Sequence, residues 1–193
     1  MHRCFIALEL DDNVKQALKA SLEPFKRASR AEKPKLVDTS GYHITLKFLG
    51  SVTEERLTEL RRQLPQALSS ATATTSAWAG FGGFPRRASA NVLVAVLRDD
   101  WGRLAQLYES IEQTCEGLGF PREERDFKPH ATLARFRTSV DLRPFLTGMP
   151  PVGPVPLGTV SLYESVLAPG GAKYSVLERH PLSAEPETEL PEQ

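Results

Sequence analysis

The chain has 193 residues, 40% hydrophobic and 25% charged, enough to bury a sizeable core within the ordinary span of one domain. Its 24 Lys plus Arg balance 24 Asp plus Glu, which excludes capture of nucleic acid by a whole-molecule field, so any anion site has to be local. Cys4 and Cys115 fit no metal-ligand spacing and are too few for a disulfide scaffold, and no stretch approaches the ~20 apolar residues of a membrane span; buried thiols in a cytoplasmic protein are the expectation.

Taken in chain order, residues 4–10 (Cys-Phe-Ile-Ala-Leu-Glu-Leu) read as a strand that meets Asp11 and Asp12, and no signal peptide is expected because these acids arrive before a cleavage site. A capped helix follows, with Val14, Leu18, Leu22 and Phe25 at helical spacing. After a polar stretch over 29–35, Tyr42–Leu49 alternates, Ile44, Leu46 and Phe48 against His43, Thr45 and Lys47, as a strand with one buried face does. Ser51-Val-Thr53-Glu-Glu-Arg56 marks the start of a second helix with Leu57, Leu60 and Leu64 on its stripe and a break expected near Pro65.

Residues 80–87 (Gly-Phe-Gly-Gly-Phe-Pro-Arg-Arg) read as a turn-rich connection, and 90–97 as a strand. The pattern then restarts. Asp99-Asp100 opens a helix carrying Leu104, Leu107, Ile111 and Cys115, ended by Gly117 and Gly119, and Pro129–Phe136 alternates again. A short helical piece near 141–146, a Pro-rich connection and strands at 159–167 and 174–179 complete one domain over 1–181. The acidic residues 182–193 are expected to be a disordered tail. The whole reads as an α+β fold of two similar lobes.

His43-Ile44-Thr45-Leu46 and His130-Ala131-Thr132-Leu133 repeat one motif at a separation of nearly half the chain. On a strand, His and Thr at i and i+2 share a face while their apolar neighbours take the other. Two such faces meeting across a pseudo-two-fold axis would put two imidazoles and two hydroxyls in one site. Imidazole titrates near neutrality, so such a pair can hold one neutral and one protonated ring, a base for attacking water and an acid for a departing oxygen, with no metal or other cofactor required. The threonines suit the non-bridging oxygens of a phosphodiester.

With these elements on the page, the chain resembles the two-histidine (2H) phosphoesterases, and within them the RNA 2′,3′-cyclic phosphodiesterases, also called 2′-5′ RNA ligases. The likeness runs through residue 181 and rests on Phe5-Ile-Ala-Leu8, His43-Ile-Thr-Leu-Lys-Phe-Leu-Gly50, Phe81-Gly-Gly-Phe-Pro85, Phe127-Lys-Pro-His-Ala-Thr-Leu-Ala-Arg135, Leu162-Tyr-Glu-Ser-Val-Leu167 and Gly170-Gly-Ala-Lys-Tyr174. It implies a bilobal, pseudo-two-fold fold with antiparallel or mixed sheets lining a central cleft and helices outside. It also implies His43 as proton donor, His130 as proton acceptor, RNA ends bearing a 2′,3′-cyclic phosphate as substrate, a 2′-phosphate product, and ATP-independent 2′-5′ joining as a secondary activity. No membrane and no obligatory protein partner are expected, and the chain is read as a monomer.

Four further residues are candidates for substrate or phosphate contact. Lys47 lies in phase with His43, and Lys128 with His130, which reads as a rim cation or a solvated lysine. Arg135 is out of phase with His130 and turns away unless a bulge re-aims it, although the resemblance favours a phosphate contact. Phe48 points to the core by alternation, with base stacking as the second reading. Arg86 and Arg87 either touch RNA backbone or solubilise a loop, and Tyr163 and Tyr174 read as packed strand tyrosines with a cleft position as the alternative.

Overall fold

A computed structural model of the chain describes residues 1–28, 32–146, 153–168 and 171–184. Strand β1 (His2–Glu9) is buried from Cys4 to Leu8 and leads to Asp11, whose carboxylate accepts from the Val14 amide at 2.9 Å and caps helix α1 (Asp12–Ser21). Helix α2 (Glu23–Ala28) adds Phe25, which packs edge-on against Phe136 and Phe145. A two-residue strand β2 (Lys35–Leu36) and an Asp38-capped 3-10 turn (Thr39–Gly41) lead into β3 (His43–Val52).

Helix α3 (Glu54–Ala67), capped by Thr53, buries Leu57, Leu60 and Leu64 as expected, but it runs through Pro65 and ends two residues later rather than breaking there. Strands β4 (Thr74–Ser76), β5 (Trp78–Arg86) and β6 (Ser89–Leu97) precede α4 (Arg103–Gly117). Helix α4 opens later than the Asp99-Asp100 pair suggests, with Gly102 at φ 67 as its N-cap; the Asp99 carboxylate still accepts from the Leu104 and Ala105 amides at 3.0 and 2.8 Å, and Gly119 at φ 76 turns the chain away at the far end. Strand β7 (His130–Val140), helix α5 (Arg143–Leu146), and strands β8 (Val155–Leu157), β9 (Thr159–Ala168) and β10 (Gly171–Pro181) complete the order.

One antiparallel sheet, in the order β10-β9-β1-β3-β7-β6-β5, joins the two halves, with β2 also paired to β7 and a separate β4-β8 ribbon. The α+β class and its pseudo-symmetry hold. The lobes are one sheet rather than two, linked at β3 and β7 through the pair Ile44–Ala131. The helices cover one face, over a core that includes Ile6, Leu8, Ile44, Leu46, Leu93, Ala131 and Leu133 together with Leu60, Leu64 and Ile111.

Two expectations are corrected. The glycine-rich stretch 80–87 is not a connection but most of strand β5, paired with β6 from Trp78–Leu97 to Arg86–Ser89. A Cβ at Gly82 would lie 3.4 Å from Val96, and one at Gly83 would lie 2.7 Å from Ala90 and Leu142, so these glycines mark close approach rather than a turn. Residues 182 and 183, expected to belong to the tail, are held to the fold: the Leu182 amide donates to the Gly158 carbonyl and the Ser183 carbonyl accepts from Ala73, while residues 185–193 lie outside the described residues. Cys4 and Cys115 are buried and free, and burial pushes their thiols up to about 11 and about 12, which leaves them inert at neutral pH.

Candidate active site

The site grows from two strands that break their alternation at the same place. In β3, Ile44 and Leu46 are buried, His43 and Thr45 are half-buried, and then Lys47 is buried and Phe48 exposed. The register against β1 explains the switch: Ala7 pairs with Thr45 but Ile6 pairs with Lys47, leaving Leu46 as the extra residue of a bulge. Strand β7 repeats this. Leu133 and Ala134 are both buried, Arg135 is exposed, and the register against β6 skips from Val94–Thr132 to Leu93–Ala134.

Ile44 and Ala131 face each other as antiparallel partners, both wholly buried. Their flanking residues turn to the opposite, open face, so His43 and Thr45 of β3 stand beside Thr132 and His130 of β7, around a local two-fold axis. The structure thus brings together the two histidines and two threonines that the sequence singled out. Each ring is oriented by a carbonyl two residues upstream: His130 Nδ1 donates to the Lys128 carbonyl at 2.6 Å, and His43 bonds the Gly41 carbonyl. A carbonyl only accepts, so His130 carries its proton on Nδ1 when neutral and presents the Nε2 lone pair.

The surroundings of the two rings differ. His43 lies against Phe5 at 4.8 Å between centroids, Tyr174 edge-on at 5.4 Å and Tyr163 at 5.9 Å. His130 has Phe84 edge-on at 4.7 Å. Burial, only partly opposed by the Gly41 carbonyl, pushes His43 down to about 4, with His130, Lys15 and Arg135 adding positive charge in the same direction. Burial first, then the charge of Arg135, also lowers His130 against the pull of the Lys128 carbonyl. In the free chain, therefore, neither ring holds a standing proton at neutral pH, contrary to the simple picture of one charged and one neutral imidazole.

The other candidates divide. The bulge carries Arg135 onto the histidine face, where its charge reaches both rings. The same device overturns the core placement of Phe48, which is 68% exposed with its ring 6.0 Å from Phe5. Lys47 is corrected in the opposite sense: it is buried on the core side, its Nζ 2.7 Å from both Glu112 and the Pro121 carbonyl, and it cannot serve as a rim cation. Lys128 has an exposed side chain just before β7, and its carbonyl orients His130. Arg86 is exposed at the end of β5.

Sequence reasoning missed Phe5 and Phe84 and left Tyr163 and Tyr174 as packing residues. Cross-strand register is the signal that groups them, since Phe5 pairs with both Phe48 and Tyr163 and stacks on Tyr163 at 4.9 Å. A cavity of about 360 Å³ lies elsewhere, among Ala67, Thr74, Leu104, Leu107 and Leu157, and includes neither histidine. Among the described residues no three His, Cys, Asp or Glu side chains are grouped to hold a metal ion.

The two-fold arrangement of paired His-x-Thr strands agrees with a family model, the 2′-5′ RNA ligase superfamily, which matches residues 14–165. The chain belongs to that superfamily. It is 32% identical over 192 residues to the RNA 2′,3′-cyclic phosphodiesterase of Thermus thermophilus, covering 95% of this chain and 91% of the relative. It is also 32% identical over 135 residues to the protein of the same name from Archaeoglobus fulgidus, covering 70% and 73%. Among solved structures, E. coli LigT complexed with 3′-AMP superposes with a TM-score of 0.72 at 25% identity, covering 94% of this chain and 98% of that one. As a superfamily member, the chain carries the family's enzyme fold with its paired histidines on a single antiparallel sheet.

Proposed function

We propose that the chain opens the 2′,3′-cyclic phosphate at an RNA end to a 2′-phosphate, without a metal, using His43 as proton donor and His130 as proton acceptor. The observation that carries this reading is the Ile44–Ala131 pair, which sets two imidazoles and two hydroxyls around one point of the open face. Water attacks phosphorus as its proton passes to His130 Nε2. The P–O3′ bond breaks as His43 delivers a proton to O3′, leaving a 2′-phosphate monoester and a free 3′-hydroxyl. Thr45 and Thr132 donate to the non-bridging oxygens, and Arg135 offsets the charge that gathers there. The phosphodiester anion itself raises His43 toward the protonated form, which burial disfavours in the free chain.

The aromatic residues support the direction. O3′ belongs to the ribose, so the ribose and its base lie on the side of the acid. Phe5, Phe48, Tyr163 and Tyr174 gather on the side of His43, where Phe48 offers a face for the base. The names of the relatives support an RNA end as substrate. A 5′-hydroxyl of a second RNA in place of water gives a 2′-5′ linkage by the same proton transfers, the secondary activity that the superfamily name supports. We read the protein as a cytoplasmic monomer with no obligatory partner.

The test is to incubate EDTA-treated protein with an oligoribonucleotide ending in 2′,3′-cyclic phosphate and to separate the products. The 2′-phosphate is expected. Absence of opening rejects the enzyme, and a 3′-phosphate product reverses the identity of the departing oxygen.

A further inference from the structure

A group of cations lies on the open face beside His130. Lys35 of β2 and Arg135 of β7 are direct antiparallel partners, both exposed, with Leu36 and Ala134 turned to the core beside them. Like charges set opposite each other across a ladder repel, so this pair does not stabilise the sheet by itself. Arg137 follows Arg135 on the same face of β7 and is also exposed, since Phe136 between them is buried. Val92 is the partner of both Arg135 and Phe84, and two residues beyond Phe84 on β5 lies the exposed Arg86.

None of these four cations has a carboxylate partner among the described residues, whereas Arg62, Arg98, Arg122, Arg125, Arg143 and Arg179 each hold one. In a chain of zero net charge, what sets these four cations apart is that cross-strand register gathers them on one face beside His130.

We propose that Lys35, Arg135, Arg137 and Arg86 form a track for the phosphates upstream of the reacting nucleotide, so that the substrate is a single-stranded oligoribonucleotide rather than a cyclic mononucleotide. This rests on the catalytic reading above and adds to it the residues that hold the rest of the RNA strand. Charge complementarity selects the occupant: a chain of regularly spaced phosphates meets a row of cations that begins beside the two histidines with Arg135. Flexible cations contacting backbone give affinity without sequence preference.

The experiment compares a tetranucleotide ending in 2′,3′-cyclic phosphate with a 2′,3′-cyclic mononucleotide, for the wild-type protein, Lys35→Ala, Arg137→Ala and the double variant, with Arg62→Gln on α3 as a control for net charge. The expected result is a wild-type preference in kcat/KM for the tetranucleotide that declines stepwise in the single and double variants through KM. The slope of log KM against log salt should fall by roughly 0.7 for each phosphate contact removed. An unchanged preference, or one lost equally in Arg62→Gln, overturns the track, as does a response seen only when a second RNA supplies the 5′-hydroxyl. If the wild-type protein opens neither substrate, the catalytic reading fails, and the track is then decided by the Kd of a tetranucleotide 3′-phosphate, which should weaken in Lys35→Ala and Arg137→Ala and overturns the track if it does not.

Discussion

Phe48 and Arg135 occupy the same position in the two halves of the protein, each five residues past its histidine and just beyond a bulge that turns it to the open face. One half places an aromatic ring there and the other a guanidinium. In the proposed reaction the near-symmetric frame supplies an imidazole from each side, while this difference gives the site a side for a base and a side for phosphate.

Phe48→Ala should weaken binding of an adenosine-ended cyclic phosphate while leaving stability nearly unchanged, because the ring is 68% exposed. Base–aromatic stacking is worth about 1–3 kcal/mol, so KM should rise roughly 5- to 150-fold. An abasic ribose cyclic phosphate should show no such rise. Equal losses on both substrates would mean that the ring acts on something other than the base.

Removal of either imidazole should reduce turnover without unfolding the protein. Each general acid or base step contributes about 10²–10⁴-fold, so His43→Ala and His130→Ala should each lose kcat on that scale, with circular dichroism unchanged. Thr45→Val and Thr132→Val should lose less. Full activity in His130→Ala would end the two-histidine scheme.

The depressed pKa of His43 has a kinetic signature. With the free ring at about 4, its acid form becomes tenfold scarcer with each pH unit above that, so the falling limb of kcat/KM begins in the acidic range. A bound phosphodiester favours the protonated ring, by about 1–3 units for an opposite charge in contact. The falling limb of kcat should therefore lie at higher pH than that of kcat/KM, provided chemistry limits both. Coincident limbs would show that the anion does not hold the proton on His43.

The same shift bears on stability. His43 folds with its pKa at about 4, below the ordinary 6.5, so between these values the unfolded chain binds more protons than the folded one. Its contribution is present above about 6.5 and is lost as pH falls through 4. Urea midpoints should drop across this window, and less steeply in His43→Asn than in the wild-type protein.

Lys47→Met should destabilise the fold by about 3–5 kcal/mol, because it leaves the carboxylate of Glu112, wholly buried, without its cation. Lys47→Met combined with Glu112→Leu should recover most of that loss in urea titrations. A double variant no better than the single one would show that the pair is not the source of the cost.

The paired His-x-Thr elements, the strand and helix periodicities, and the cap at Asp11 were legible in the sequence because they depend on neighbours within a few residues. The glycines of β5 were misread because turn and close approach draw on the same residue, and only Val96, Ala90 and Leu142 on neighbouring elements distinguish them. Alternation likewise assigned Lys47, Phe48 and Arg135 to faces that two bulges reversed. A bulge is a property of pairing: one strand holds an extra residue relative to its partner, and the period of two restarts out of phase. The sequence alone therefore singled out the groups proposed to perform the chemistry. The tertiary structure decided which way their neighbours face, because register between strands distant in sequence sets that direction.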